Sequence, residues 1–136
     1  MARRSFPRAQ IFGADIDSRI LFSEERISTF YVDQLCDNEI NNLWRKLPDD
    51  CFDIMIDDGL HFFEAHISFF QSSIHKLKAN GYYIIEDINM DPGNLHKYHE
   101  YFSRRAESGV IVRIPHAYDT YNNNCLGIFR RERRGD

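Results

Sequence analysis

At 136 residues, 43% hydrophobic and 14% aromatic, the chain has the make-up of one folded domain and not of a disordered tail. Lys and Arg number 17 against 21 Asp and Glu, and a net charge of −4 argues against nucleic acid as the main partner, because phosphate-binding domains usually carry a basic excess. No apolar run approaches the roughly 20 residues that cross a bilayer. Neither a signal-peptide core after Met-Ala-Arg-Arg-Ser-Phe nor a disulfide or zinc pattern among Cys36, Cys51 and Cys125 is present, so a reducing cytoplasm is the expected setting.

In chain order, residues 9–16 read as a strand running into an acidic turn, and residues 17–25 as a short helical connection. Residues 27–32 are β-branched and aromatic and read as a second strand bounded by Asp33. Asp37 can cap a helix to about Leu47, with Ile40, Leu43, Trp44 and Leu47 at three- and four-residue steps. Residues 52–56 form an apolar strand broken only by Asp53 and ending in Asp57-Asp58-Gly59. A helix over 62–78 carries Ile67, Phe70, Ile74 and Leu77 on one stripe and stops at Ala79-Asn80-Gly81. Residues 82–85 are a fourth strand leading into Glu86-Asp87, residues 92–107 a polar helix, and 110–114 and 125–129 two more strands joined by a polar loop.

Strands alternating with helices imply a Rossmann-like α/β domain: a mainly parallel sheet covered by helices on both faces. The expected division is a basic N-terminal segment 1–8, an α/β domain 9–130 and a charged tail 131–136 that does not pack.

Each of the first four strands ends in acid: Asp15 and Asp17, then Asp33, then Asp57 and Asp58, then Glu86 and Asp87. Ligands of an open parallel sheet bind outside the carboxyl ends of its strands. Four acidic ends on one sheet edge therefore call for a cation or hydrogen-bond donors to compensate them. Asp58, Glu86 and Asp87 offer hard oxygen ligands, which suit Mg²⁺, Ca²⁺ or Mn²⁺ better than zinc. Asp15 and Asp33 end the other pair of strands, where an acid can accept hydrogen bonds from a ribose or an adenine amine. His61 follows on a turn to which Gly59 lends backbone freedom, and an imidazole beside such acids can take a proton near neutral pH. His66, His75, His96 and His99 read as surface residues of two helices.

Asp-Ile-Asp at 15–17, Phe-Tyr-Val-Asp-Gln at 30–34, Phe-Asp-Ile-Met-Ile-Asp-Asp-Gly-Leu-His at 52–61 and Tyr-Ile-Ile-Glu-Asp at 83–87 occur in that order. Over roughly residues 9 to 130 this resembles the class I S-adenosylmethionine-dependent methyltransferases, in particular the metal-dependent sugar O-methyltransferases of macrolide biosynthesis. The resemblance implies that Asp15 holds the cofactor ribose and Asp33 the adenine amine. Asp57, grouped with these cofactor-side acids, stands between the cofactor and metal sites. It implies further that Asp58, Glu86 and Asp87 bind Mg²⁺ or a similar divalent cation, and that His61 is the general base. The substrate would be a small molecule carrying a hydroxyl, with Tyr118 and Tyr121 of the loop 115–124 placed to line it.

The resemblance also implies a central strand with a Gly-rich turn before Ile11. Only Met-Ala-Arg-Arg-Ser-Phe-Pro-Arg-Ala-Gln stands there, so the cofactor site is expected to be partial. An alternative reading follows: a catalytically incomplete methyltransferase-like domain, a homo-oligomer or one completed by another chain, pairing through the sheet edges that the absent strand leaves open.

Overall fold

The computed structural model describes residues 6–105, 108–115 and 124–132. Among them are seven strands and three helices: β1 (Ile11–Asp15), β2 (Ser23–Glu24), β3 (Ile27–Tyr31), α1 (Asp37–Trp44), β4 (Phe52–Asp57), α2 (Phe63–Ser73), β5 (Leu77–Ile88), α3 (Pro92–Ser103), β6 (Ser108–Arg113) and β7 (Cys125–Arg130). Among the described residues no helix is long and apolar enough to cross a membrane.

The strands form two sheets, in the orders β1-β3-β2 and β4-β5-β7-β6. The pairs β1–β3 and β4–β5 are parallel, while β2–β3, β5–β7 and β6–β7 are antiparallel. The Rossmann-like α/β reading stands, with mixed pairing because the last two strands are a hairpin. Among the described residues β1 and β4 each pair on one side only, and the Phe12 ring of β1 meets the Phe52 ring of β4 edge-on at 5.4 Å. The division between the sheets thus leaves β1 and β4 each with an open edge among the described residues.

The core lies on one face. Trp44 of α1 packs on Phe52 and Phe69 and donates from Nε1 to Ser73 Oγ at 3.2 Å. Phe70 of α2 sits edge-on to Tyr83 and Phe102, and Phe102 of α3 stacks on Phe129. Phe70 of α2 and Phe102 of α3 cover the face carrying Tyr83 and Phe129. On the other face Ile54, Ile56, Tyr82, Val110 and Val112 are exposed. An apolar run such as 52–56 does not say whether both of its faces are covered, and here they alternate in burial.

Several local expectations change for identifiable reasons. Residues 17–25 hold a 3₁₀ turn, Ser18–Ile20, and the short hairpin strand β2 in place of a helix. Arg26 takes φ 67° at the hairpin turn, and Thr29 bonds both the N–H and the carbonyl of Phe22. α1 starts from Cys36 and stops at Trp44, with Asp37 inside its first turn. α2 ends at Ser73, and a 3₁₀ turn Ile74–Lys76 leads into β5 at Leu77. Lys76 is tied down at that stop: its buried ammonium donates to the Leu47 carbonyl and to Asp49, while its own carbonyl accepts from Cys51 N–H. α3, read as polar, buries Tyr98 and Phe102. Arg131, read as part of an unpacked tail, donates to the Leu77 and His75 carbonyls and pairs with Asp50.

Candidate functional site

The parallel pair β4–β5 brings two acidic strand ends side by side, Asp57 lying opposite Ile85 in the register. Beyond Ile85 the pairing of β5 with β7 slips until Ile88, so Glu86 and Asp87 occupy an irregularity that re-aims their side chains. Asp87 takes φ 53°, a left-handed conformation that costs a non-glycine residue of the order of 1–2 kcal/mol. Such strain persists only where the surroundings over-determine the backbone, and it gathers at functional sites.

At these ends Asp58, His61 and Asp87 converge. His61 Nε2 lies 3.4 Å from Asp58 Oδ1, and His61 Nδ1 lies 3.8 Å from Asp87 Oδ2. One ligand atom from each of the three falls within 4.8 Å of the others. Oxygen donors around a Mg²⁺ or Mn²⁺ ion sit about 2.1 Å from the metal, hence up to about 4.2 Å apart across it, so small side-chain shifts bring these atoms into range. Glu86 is half-buried, and its carboxyl is pushed up by burial and then by the charges of Asp58 and Asp87. The two neighbouring carboxylates add to the effect of burial in the same direction. Exposed Asp58 and half-buried Asp87 are hard oxygen donors that fit a divalent cation, with His61 beside them and Glu86 next in the chain but outside this group.

Asp15 and Asp33 belong to the other sheet, at the carboxyl ends of β1 and β3, so the acids divide between two sheets and do not share one edge. Asp15 accepts from Asp17 N–H at 2.7 Å, and Asp33 from Leu35 N–H at 2.9 Å. Glu39 reaches back from α1 to the Asp33 N–H at 2.7 Å. These turns leave both carboxylates further lone pairs for a ligand.

Asp57 is turned inward, 4% exposed. It accepts from both the Gln34 amide and the Gly59 N–H, with the Tyr83 hydroxyl at 3.4 Å. Burial pushes its carboxyl up to about 6, against the pull of those hydrogen bonds. Its carboxylate ties the 57–59 turn to Gln34.

Gly59 also differs from expectation. No described glycine has a positive φ, so the turn needs no special backbone freedom there. It needs space: a Cβ at Gly59 would stand 2.2 Å from Gln34 Oε1.

His66 was read as a surface residue and is fully buried. Its Nδ1 lies 2.6 Å from the Tyr98 hydroxyl, its ring centroid 6.5 Å from that of His61, and burial pushes it down to about 4. His96 and His99 are exposed as expected, and His75 is half-buried beside Asp49. Gln34 and Tyr83 bond Asp57 in the acid turn, His66 and Tyr98 bond each other in the core near His61, and periodicity alone singles out none of the four. The Asp-Gln pair at 33–34 was the one available signal. The loop carrying Tyr118 and Tyr121 lies outside the described residues.

No family model matches the chain. Among curated proteins, mycinamicin VI 2''-O-methyltransferase of Micromonospora griseorubida is 36% identical over 89 residues, which are 65% of this chain and 22% of that enzyme. Demethylmacrocin O-methyltransferase of Streptomyces fradiae is 33% identical over 88 residues, again 65% and 22%. The chain therefore spans about a fifth of the length of these relatives. Among solved structures, a MycE methyltransferase of the mycinamycin pathway, in complex with Mg and SAH, superposes with TM-score 0.64 at 22% identity, over 96% of this chain and 39% of that one. An Archaeoglobus fulgidus SAM-dependent methyltransferase superposes with TM-score 0.52 at 14% identity, over 96% and 90%. The chain has the fold of the S-adenosylmethionine-dependent methyltransferases, and its sequence resembles the macrolide and sugar O-methyltransferases within that fold.

Proposed function

We propose that the chain is the metal-binding and proton-accepting portion of an S-adenosylmethionine-dependent sugar O-methyltransferase, acting on a hydroxyl of a small natural product. The convergence of Asp58, His61 and Asp87 at the ends of β4 and β5 carries this reading. Asp58, Glu86 and Asp87 would hold the divalent cation, with Asp15 and Asp33 on the cofactor ribose and adenine. Asp57 contributes by fixing the turn between the two groups. When bound, the cation would orient a pair of substrate hydroxyls and lower the pKa of one, and S-adenosylmethionine would supply an electrophilic methyl. His61 takes the hydroxyl proton as the oxygen forms its bond to that methyl and the carbon–sulfur bond breaks.

Calorimetric titration of Mn²⁺ and S-adenosylmethionine into the chain tests the proposal. Expected are Mn²⁺ binding that Asp58→Asn and Asp87→Asn each weaken at least tenfold, and cofactor heat that Asp15→Ala removes. Equal Mn²⁺ affinity in wild type and both variants would sink the metal assignment.

The open edges of β1 and β4 favour the second reading, a domain completed by pairing with another chain. Sedimentation velocity separates the two: a strict monomer at high concentration removes the edge-pairing argument.

A further inference from the structure

Gln34 lies just after β3, in one sheet, and grips the turn after β4, in the other. Its Nε2 donates to Asp57 at 2.9 Å (Oδ1) and 3.1 Å (Oδ2), and its Oε1 accepts the Leu60 N–H at 2.8 Å. Only this orientation of the amide matches a donor to the carboxylate and an acceptor to the N–H. The grip closes on both sides of Asp58 and Gly59 and ends one residue before His61.

We infer that Gln34 is a positioning residue: its carboxamide holds the 57–61 turn in the form that sets Asp58 and His61 against Asp87, and Gly59 is the residue this carboxamide requires. As a statement about the site, this rests on the metal reading above. The chemistry selects glutamine. Glutamate would face the Asp57 carboxylate with no proton to donate, methionine would fill the space with neither donor nor acceptor, and asparagine is one methylene short. The space selects glycine, since any Cβ at position 59 meets Gln34 Oε1 at 2.2 Å and Cδ at 3.0 Å while the backbone itself would accept any residue.

The test uses the full chain, with Q34A, Q34E, G59A and Q34A/G59A. Amide exchange without metal reads the clamp: protection of the Leu60 N–H should fall about tenfold or more in all four variants, while Ile85 in the core keeps its protection. Mn²⁺ titration reads the positioning role: affinity should fall about tenfold in Q34A and Q34E alike, because a charge-assisted amide bond and not side-chain bulk is lost. G59A should add nothing in the Q34A background, since the atom it collides with is gone. Unchanged Leu60 protection in Q34A overturns the clamp, as does an additive double variant. Lost protection with unchanged Mn²⁺ affinity overturns the positioning role. A wild-type chain that binds no Mn²⁺ overturns the metal reading, while the exchange and double-variant arms still decide the clamp.

Discussion

The Tyr98 hydroxyl of α3 and Nδ1 of His66 on α2 meet at 2.6 Å inside the core, and His66 Nε2 is buried with no hydrogen-bond partner among the described residues. Burial keeps this imidazole neutral, down at about 4 from an ordinary 6.5. Nearby Asp57 is displaced in the opposite direction, from 3.8 up to about 6.

These two groups give opposite pH dependences over one window. For His66 the unfolded chain takes up a proton below 6.5 and the folded chain only near 4, so its contribution is lost as pH falls through that range. For Asp57 the folded chain holds the proton more tightly, so its contribution is present at low pH and lost as pH rises from about 4 through about 6. Each is worth on the order of 3 kcal/mol at full extent. Urea unfolding should therefore show Asp57→Asn losing stability from pH 6.5 to 4.5 relative to wild type, and His66→Gln gaining it. Parallel slopes in the two variants would contradict this.

Strain at Asp87 makes a prediction that runs against ordinary propensity. In regular structure Ala is more stabilising than Gly by about 0.5–1 kcal/mol. At φ 53° the order should reverse, with Asp87→Gly more stable than Asp87→Ala by about 1 kcal/mol in thermal unfolding. Both variants should lose Mn²⁺ affinity to a similar extent. Alanine equal to or better than glycine would remove the argument from strain.

Lys76 is 5% exposed and is held by the Leu47 carbonyl at 2.8 Å and Asp49 Oδ1 at 2.6 Å. A buried ammonium deprived of a partner is costly, whereas an apolar side chain of similar shape is tolerated. Asp49→Ala should lower the urea midpoint in the wild-type background and leave it unchanged in Lys76→Met. An equal drop in both backgrounds would show that Asp49 acts through something other than Lys76.

The far end of the sheet offers a purely steric test. A Cβ at Gly109 would meet Phe129 Cδ1 at 2.2 Å, and Phe129 is stacked against Phe102. The ring cannot retreat, so Gly109→Ala should destabilise by about 1–3 kcal/mol with Mn²⁺ affinity unchanged. Wild-type stability would mean the β6–β7 hairpin shifts freely.

The α/β class, β1, β3, β4, the three helices and the acidic strand ends were legible in the residues, because periodicity, strand composition and acids before turns are local properties. Asp58, His61 and Asp87 were legible as candidates by their order along the chain. Their meeting was not, because it depends on the parallel pairing of β4 with β5 and the irregularity at Asp87. His66 was misplaced since a histidine on a helix carries no local sign of which way its face turns. Gly59 was read through backbone freedom, which is glycine's commonest use, and proved to serve Gln34 from a different strand end.

By itself, then, the sequence determined which residues carry charge, which stretches form most of the strands and helices, and that the acids gather at strand ends. Tertiary structure alone decided which sheet face is covered, which acids meet, and that Asp57 supports the turn from inside the fold. The physical reason is range: propensity and periodicity act over a few residues, whereas burial, desolvation and the Gln34–Asp57 bond join residues 23 positions apart.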